Sequence, residues 1–175
     1  FIKTGAAVAV ALGMITFYTP FTIRDAVDDG MFGYLAVMGV FAGVGLNTYL
    51  LRNLLSGRDR LASMDEFQIM ILNDKDTLPT RLSYKLNLRG PAVNVQTSCS
   101  TGLVAVHLAC NSLLNFECGL ALAGAVAIKF PQIAGHRFQP DGILSPDGCC
   151  RAFDEKAAGT VGGSGGGVLV LKRLT

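Results

Sequence analysis

The stretch Ser98–Asn115 constrains the fold more than any other part of the chain. It contains no proline, and its apolar residues Leu103, Val104, Val106, Leu108, Ala109, Leu113 and Leu114 fall on nearly every side of a helix. A helix without a broad polar face belongs inside a core. Its neighbours supply the layers. Ala92–Gln96 before it reads as a strand, and Leu120–Ile128 after it is apolar throughout, as in strands covered on both faces. AVMGVFAGVG, Ala36–Gly45, predicts another buried strand, followed by helical segments at Asn47–Leu55 and Asp65–Leu72. Asn73-Asp74-Lys75-Asp76 has the composition of a cap ahead of a helix over Thr77–Leu86, which Gly90-Pro91 stops. Pro131–Cys150 is rich in turn signals, and Gly167–Leu171 closes the chain as a strand. Strands alternating with helices predict an α/β layered fold.

Composition narrows the function. Half of the residues are apolar, 16% are charged and the formal net charge is +2. That balance describes a globular chain able to bury a core. The basic residues Arg52, Arg58, Arg60, Arg81, Lys85 and Arg89 are scattered, which gives no electrostatic footprint for nucleic acid. The five cysteines, Cys99, Cys110, Cys118, Cys149 and Cys150, are an odd number without a C-x-x-C pair. They fit neither a zinc site nor a disulfide framework, and they suit a reducing, cytoplasmic setting. Gly5–Pro20 has no charge, but at about 16 residues it falls short of the ~20 that a spanning helix needs. No membrane association is expected from it. Its plain reading is a buried helix or strand whose partner lies elsewhere, or sequence outside the domain.

Cys99 stands where chemistry can occur, although a cysteine at a helix start more often only packs. Val95-Gln96-Thr97 ends a strand, Ser98-Cys99-Ser100 turns, and the apolar helix begins. Unpaired N–H groups and the dipole at a helix start favour negative charge there, and the thiolate is the nucleophilic form of cysteine.

VNVQTSCSTGLVAVHLACNSLLNFECGLALAGAVAI, around Cys99, resembles the nucleophile region of β-ketoacyl synthase domains from modular polyketide synthases. GVFAGVGLNTYLLRNL, Gly39–Leu54, is similar to the segment that precedes it in that family, and NDKDTLPTRLSYKLNLRGPAVNVQT, Asn73–Thr97, to the approach to the active site. ILSPDGCCRAFDEKAAGTVGGSGGGVLVLKRL, Ile143–Leu174, resembles the loop and strand that end the first half of the fold. The blocks stand in the family's order. They divide the chain into an unassigned apolar leader, residues 1–35, and a partial β-ketoacyl synthase N-terminal domain, residues 36–175.

The resemblance implies a thiolase-like fold, of which this sequence holds the N-terminal half with the nucleophile on a buried helix. It implies that Cys99 accepts an acyl group from the phosphopantetheine arm of an acyl carrier protein, with no cofactor bound. A malonyl unit on a second carrier then decarboxylates and attacks that thioester. A fatty-acid condensing enzyme, or a fragment that accepts acyl groups without condensing them, would look the same at Cys99. The resemblance also implies a homodimer, in which the strand matching Ala92–Gln96 pairs with its own copy. The family's histidine motifs, similar to E-A-H-G-T-G-T and K-x-N-I-G-H, are not in this sequence. Nor is its opening block, with an R-F-P-G-like loop and a D-P-Q segment, recognisable in Phe1–Tyr34.

Other features read as structural. His107, on the same helix eight residues after Cys99, lies ~12 Å along the axis from it and is expected to pack; His136 falls in the loop-rich region. Asp141, Asp147, Asp154 and Glu155 sit in turn sequences rather than in a paired-carboxylate pattern. A dinucleotide motif starting at Gly163 would need glycine where Val168 stands, so the glycines of Gly162–Gly167 are expected to allow close backbone approach or a bulge before the last strand.

Overall fold

Alternating small and branched residues in the two most apolar runs let strands lie against one another with both faces covered. They pair with each other within a six-stranded mixed sheet in a computed structural model that describes residues 2–11, 14–15, 37–55, 65–131 and 135–173. In chain order the elements are β1 (Ile2–Ala11), β2 (Met14–Ile15), β3 (Met38–Val44), a π-helical turn (Leu50–Leu54), α1 (Glu66–Asn73) and α2 (Thr77–Lys85). After these come β4 (Ala92–Asn94), a 3₁₀ turn (Ser98–Ser100), α3 (Thr101–Leu114), β5 (Leu120–Ala127) and β6 (Gly165–Arg173).

The strand order is β2-β1-β6-β5-β3-β4. β3 runs parallel to β4 and β5, with Phe41 opposite Val93 and Ala123; β6 is antiparallel to β5, with Ala123 opposite Leu169. The expected alternation of strands and helices is present, and it produces the parallel β3, β4 and β5 through helical crossovers. The direction of β6 follows from a long non-helical return over the described residues 135–164. β1 pairs antiparallel with β6, Val8 opposite Val168, so the front of the apolar leader supplies a strand to the same sheet. The rest of the leader, residues 1, 12–13 and 16–35, lies outside the described residues. No helix among the described residues is long and apolar enough to cross a membrane.

The core lies between α3 and the sheet. Phe41, Val95, Ala105, Ala109, Leu113, Cys118, Ala121, Ala123 and Leu171 form it. Ala105 and Ala109, one turn apart, let the helix approach β5 closely, and Leu113 and Leu171 are fully enclosed. Burying each such leucine contributes about 2 kcal/mol. Arg173 closes the far end. Its guanidinium donates to the carbonyls of Leu113 and, at 2.9 Å, Cys118, and lies 4.3 Å from the Phe116 ring centre.

Two expectations change here. Helix α3 is not enclosed on all sides by the described residues: Leu103 is 78% exposed, Leu114 54%, and His107 is exposed rather than packed, bonded to Asn111 of the next turn at 3.1 Å. An all-round apolar pattern tells that a helix suits burial, not which face its own chain covers. The cap expected from the acids before α2 is also absent. Asp76 makes no side-chain cap bond; instead Thr77 Oγ1 donates to the carbonyls of Ile71 and Asp74, tying α2 back to the end of α1.

Candidate functional site

The ends of the parallel strands build the site. The carboxyl ends of β3 (Gly43, Val44) and β5 (Ala125–Ala127), the first residue of β6 (Gly165), and the turn after β4 border one cleft of about 610 Å³. Cys99 lines it, with Gln96, Ser98, Thr101, Gly102 and Lys75. A crevice outside the carboxyl ends of parallel strands is where α/β sheets bind ligands, since neighbouring loops diverge there and helices point their N-termini inward. Among the described residues that border it, Lys75 alone is charged.

Cys99 is exposed in the middle of the 3₁₀ turn. The turn exists because Ser98 adopts φ +54°, a left-handed conformation that costs a residue with a Cβ on the order of 1 kcal/mol. Hydroxyls hold it there. The Thr101 hydroxyl accepts from the Thr97 N–H at 3.0 Å and donates to the Ser98 carbonyl at 2.8 Å. The Ser100 hydroxyl donates to the Thr97 carbonyl at 2.8 Å. Behind the turn, β4 is locked to β3 by Val95 N–H to Ala42 carbonyl at 3.0 Å. Gly43 leaves the space that this packing needs: a Cβ there would collide with the Val95 carbonyl oxygen and the Thr101 methyl.

The other polar candidates lie elsewhere. Neither histidine lines the cleft. His136 Nε2 meets the Ser145 carbonyl at 2.7 Å, which makes that nitrogen the donor. Asp147 organises its own turn, accepting from the Ser145 hydroxyl at 2.6 Å and the Cys149 N–H at 3.0 Å, and pairing with Arg151 at 2.7 Å. Those bonds, the Ser145 hydroxyl first, hold its carboxyl well below the usual carboxylate range. Asp154 accepts from Lys156 N–H at 2.7 Å, and Asp141 sits at φ +65° in a turn. The turn reading of these acids therefore holds. Among the described residues no group of three His, Cys, Asp or Glu is placed to hold a metal. The glycine expectation is not met at Gly163, Gly165 or Gly167, where a Cβ would meet nothing; the close backbone approach between β5 and β6 is required by Gly124 on β5, whose Cβ would strike the Gly167 carbonyl.

Motif spacing singled out Cys99 and passed over Ser98, Thr101, Gly43 and Lys75. A glycine inside a buried strand signals close backbone approach, and Ser or Thr around a turn signals hydroxyl-to-backbone bonds. Nothing in a serine's identity signals a positive φ.

Comparisons with known proteins agree with this architecture. The sequence matches the family model of the β-ketoacyl synthase N-terminal domain over residues 5–175, a range that takes in most of the segment left unassigned by motif resemblance. It is 49% identical over 143 residues to one of the phenolphthiocerol/phthiocerol polyketide synthase subunits of Mycobacterium tuberculosis, covering 78% of this chain and 10% of that protein. Against another subunit of the same synthase it is 45% identical over 141 residues, covering 78% of this chain and 7% of that one. The chain thus spans a tenth or less of the length of these relatives. Among solved structures, ketosynthase twelve of the bacillaene polyketide synthase of Bacillus amyloliquefaciens superposes with a TM-score of 0.68 at 30% identity, over 79% of this chain and 24% of that one. The ketosynthase from module 6 of the bacillaene synthase of Bacillus subtilis 168 gives 0.58 at 35% identity, over 80% and 23%. With a family match over nearly its whole length and a thiolase-like half-fold around the cleft, the chain belongs to the β-ketoacyl synthase family, as its N-terminal domain.

Proposed function

We propose that this chain is the acyl-accepting part of a polyketide-type β-ketoacyl synthase and that Cys99 is its nucleophile. The observation that carries the reading is the placement of an exposed cysteine on a strained strand-to-helix turn, opening into the cleft at the carboxyl ends of β3 and β5. In the proposed step, Cys99 loses its proton to solvent and its sulfur attacks the carbonyl carbon of an acyl thioester on the phosphopantetheine arm of an acyl carrier protein. A C–S bond forms to Cys99, and the pantetheine sulfur leaves and takes up a proton. N–H groups at the start of α3 favour the oxyanion that develops on the way.

Condensation is the second half of the proposal. A carrier-bound malonyl unit loses CO₂, its carbanion attacks the Cys99 thioester, and the Cys99 sulfur departs with the bonding pair, leaving a chain two carbons longer. Acyl acceptance calls only on residues present here. Condensation calls on the family's two histidine motifs, and the histidines of this sequence, His107 and His136, are not in the cleft. Transfer without condensation is therefore a second reading for these residues taken alone. A homodimer is also proposed, because β4 ends the strand order of the sheet and its Val93 is partly exposed.

The test supplies an acyl-carrier thioester and then malonyl-carrier protein, following intact mass and product. Acylation confined to Cys99 supports the reading. Acylation spread over Cys99, Cys149 and Cys150 alike sinks it. A lengthened product separates the full condensing reading from transfer alone.

A further inference from the structure

Thr101 has two ends with different neighbours, and this lets its roles be separated. Its side chain is almost wholly enclosed, 7% exposed. The methyl group fills the space over Gly43, packing α3 onto β3. The hydroxyl does something else: it takes the Thr97 N–H and gives to the Ser98 carbonyl, bridging the backbone on both sides of the residue with φ +54°. Without it the Thr97 N–H loses its partner and the Ser98 carbonyl keeps only the backbone N–H of Thr101, so the left-handed Ser98 loses the side-chain half of its clamp. Ser98 would then relax toward negative φ. Cys99 follows Ser98 directly, so that relaxation swings its Cα–Cβ bond away from its present direction.

We propose that the Thr101 hydroxyl is a positioning group for Cys99, holding the turn in the conformation that presents the sulfur to the cleft. The inference deepens the acyl-acceptor reading and rests on it. Thr101 is not a catalytic residue, because its hydroxyl is committed to the backbone on both sides. The side chain positions the nucleophile through the peptide that precedes it.

An isosteric pair of substitutions tests this. Thr101→Val keeps the methyl packing over Gly43 and removes the hydroxyl; Thr101→Ser keeps the hydroxyl and removes the methyl. The readout is the rate at which an acyl thioester, and separately iodoacetamide, modifies Cys99, with the exposed Cys149 and Cys150 as reference thiols in the same molecule and the buried Cys118 as a reporter of unfolding. The expected result is that Thr101→Val slows Cys99 by roughly tenfold or more, the size expected for a misplaced reacting group, while Thr101→Ser reacts close to the rate of the unaltered chain. Adding Ser98→Gly to Thr101→Val should restore much of the rate, since glycine holds a positive φ without a clamp. Retention of full rate in Thr101→Val, or no recovery on adding Ser98→Gly, overturns the proposal. Labelling of Cys118 in Thr101→Val also overturns it, by showing that the hydroxyl holds the core rather than the turn. If Cys99 of the unaltered chain reacts no faster than Cys149 and Cys150, the acceptor reading itself fails, an outcome distinct from all of these.

Discussion

Cys99 and the Cys149-Cys150 pair are all exposed thiols, and they stand on different kinds of backbone. Cys99 sits between a strand of the central sheet and the first turn of α3, on a peptide held by the hydroxyls of Thr101 and Ser100. Cys149 and Cys150 follow a turn that one carboxylate, Asp147, organises at the surface. Exposure is common to both regions. What separates them is that the first has a sheet beneath it and a cleft in front of it. Accessibility makes a cysteine modifiable, whereas a fixed direction relative to a cleft and a helix start makes it a nucleophile for a chosen substrate.

The two regions should part most sharply at the sulfurs themselves. Cys99→Ser should abolish acyl uptake from a carrier thioester, whereas Cys149→Ser and Cys150→Ser should leave it intact; intact mass after incubation reads both. Next in size is Gly43→Ala, whose new methyl group has backbone on one side and Thr101 on the other. We expect a loss of about 3 kcal/mol in denaturant unfolding, and slower modification of Cys99 with Cys149 and Cys150 unchanged in the population that stays folded.

Asp147→Asn should do the reverse. It weakens the turn carrying Cys149, so amide exchange at Cys149 should rise while the Cys99 rate holds. Because the Asp147 carboxyl is held below its ordinary value, its contribution is fully present above the unfolded carboxylate range, about 3.9, and is lost as pH falls through the folded value. The difference between Asp147→Asn and the unaltered chain should therefore persist at neutral pH and shrink only below about pH 4. The smallest effect is expected at Leu103→Gln on the uncovered face of α3. There the melting point of this chain should stay nearly constant, the stability change lying within about 0.5 kcal/mol.

Much of the fold was legible because burial leaves a pattern. β3, α2, α3 and β5 were read within a few residues from apolar runs and stop signals. Register and direction were not legible. Nothing in Gly167–Leu171 says that β6 runs against β5, and nothing in Ile2–Ala11 says that it joins β6. The irregular helix over Leu50–Leu54 read simply as helical, since residue preferences do not separate an α turn from a π turn. At the site, the position of Cys99 between a strand and a helix was legible and the support of its turn was not. The φ of Ser98 is imposed by bonds from residues on either side, and the role of Gly43 exists only once Thr101 is packed above it. Both are properties of pairs, and a sequence displays residues singly.

Arg173 belongs to the last described stretch of chain, yet it grips the end of α3 opposite Cys99. The helix runs fourteen residues from Thr101 to Leu114, a rod of about 21 Å. Pivoted at the arginine, a tilt of about 3° would carry the tip beside Cys99 through about 1 Å, enough to spoil an attack geometry. For the acyl acceptor proposed above, aim becomes a matter of leverage, with a guanidinium more than seventy positions along the chain from Cys99 as the far fulcrum.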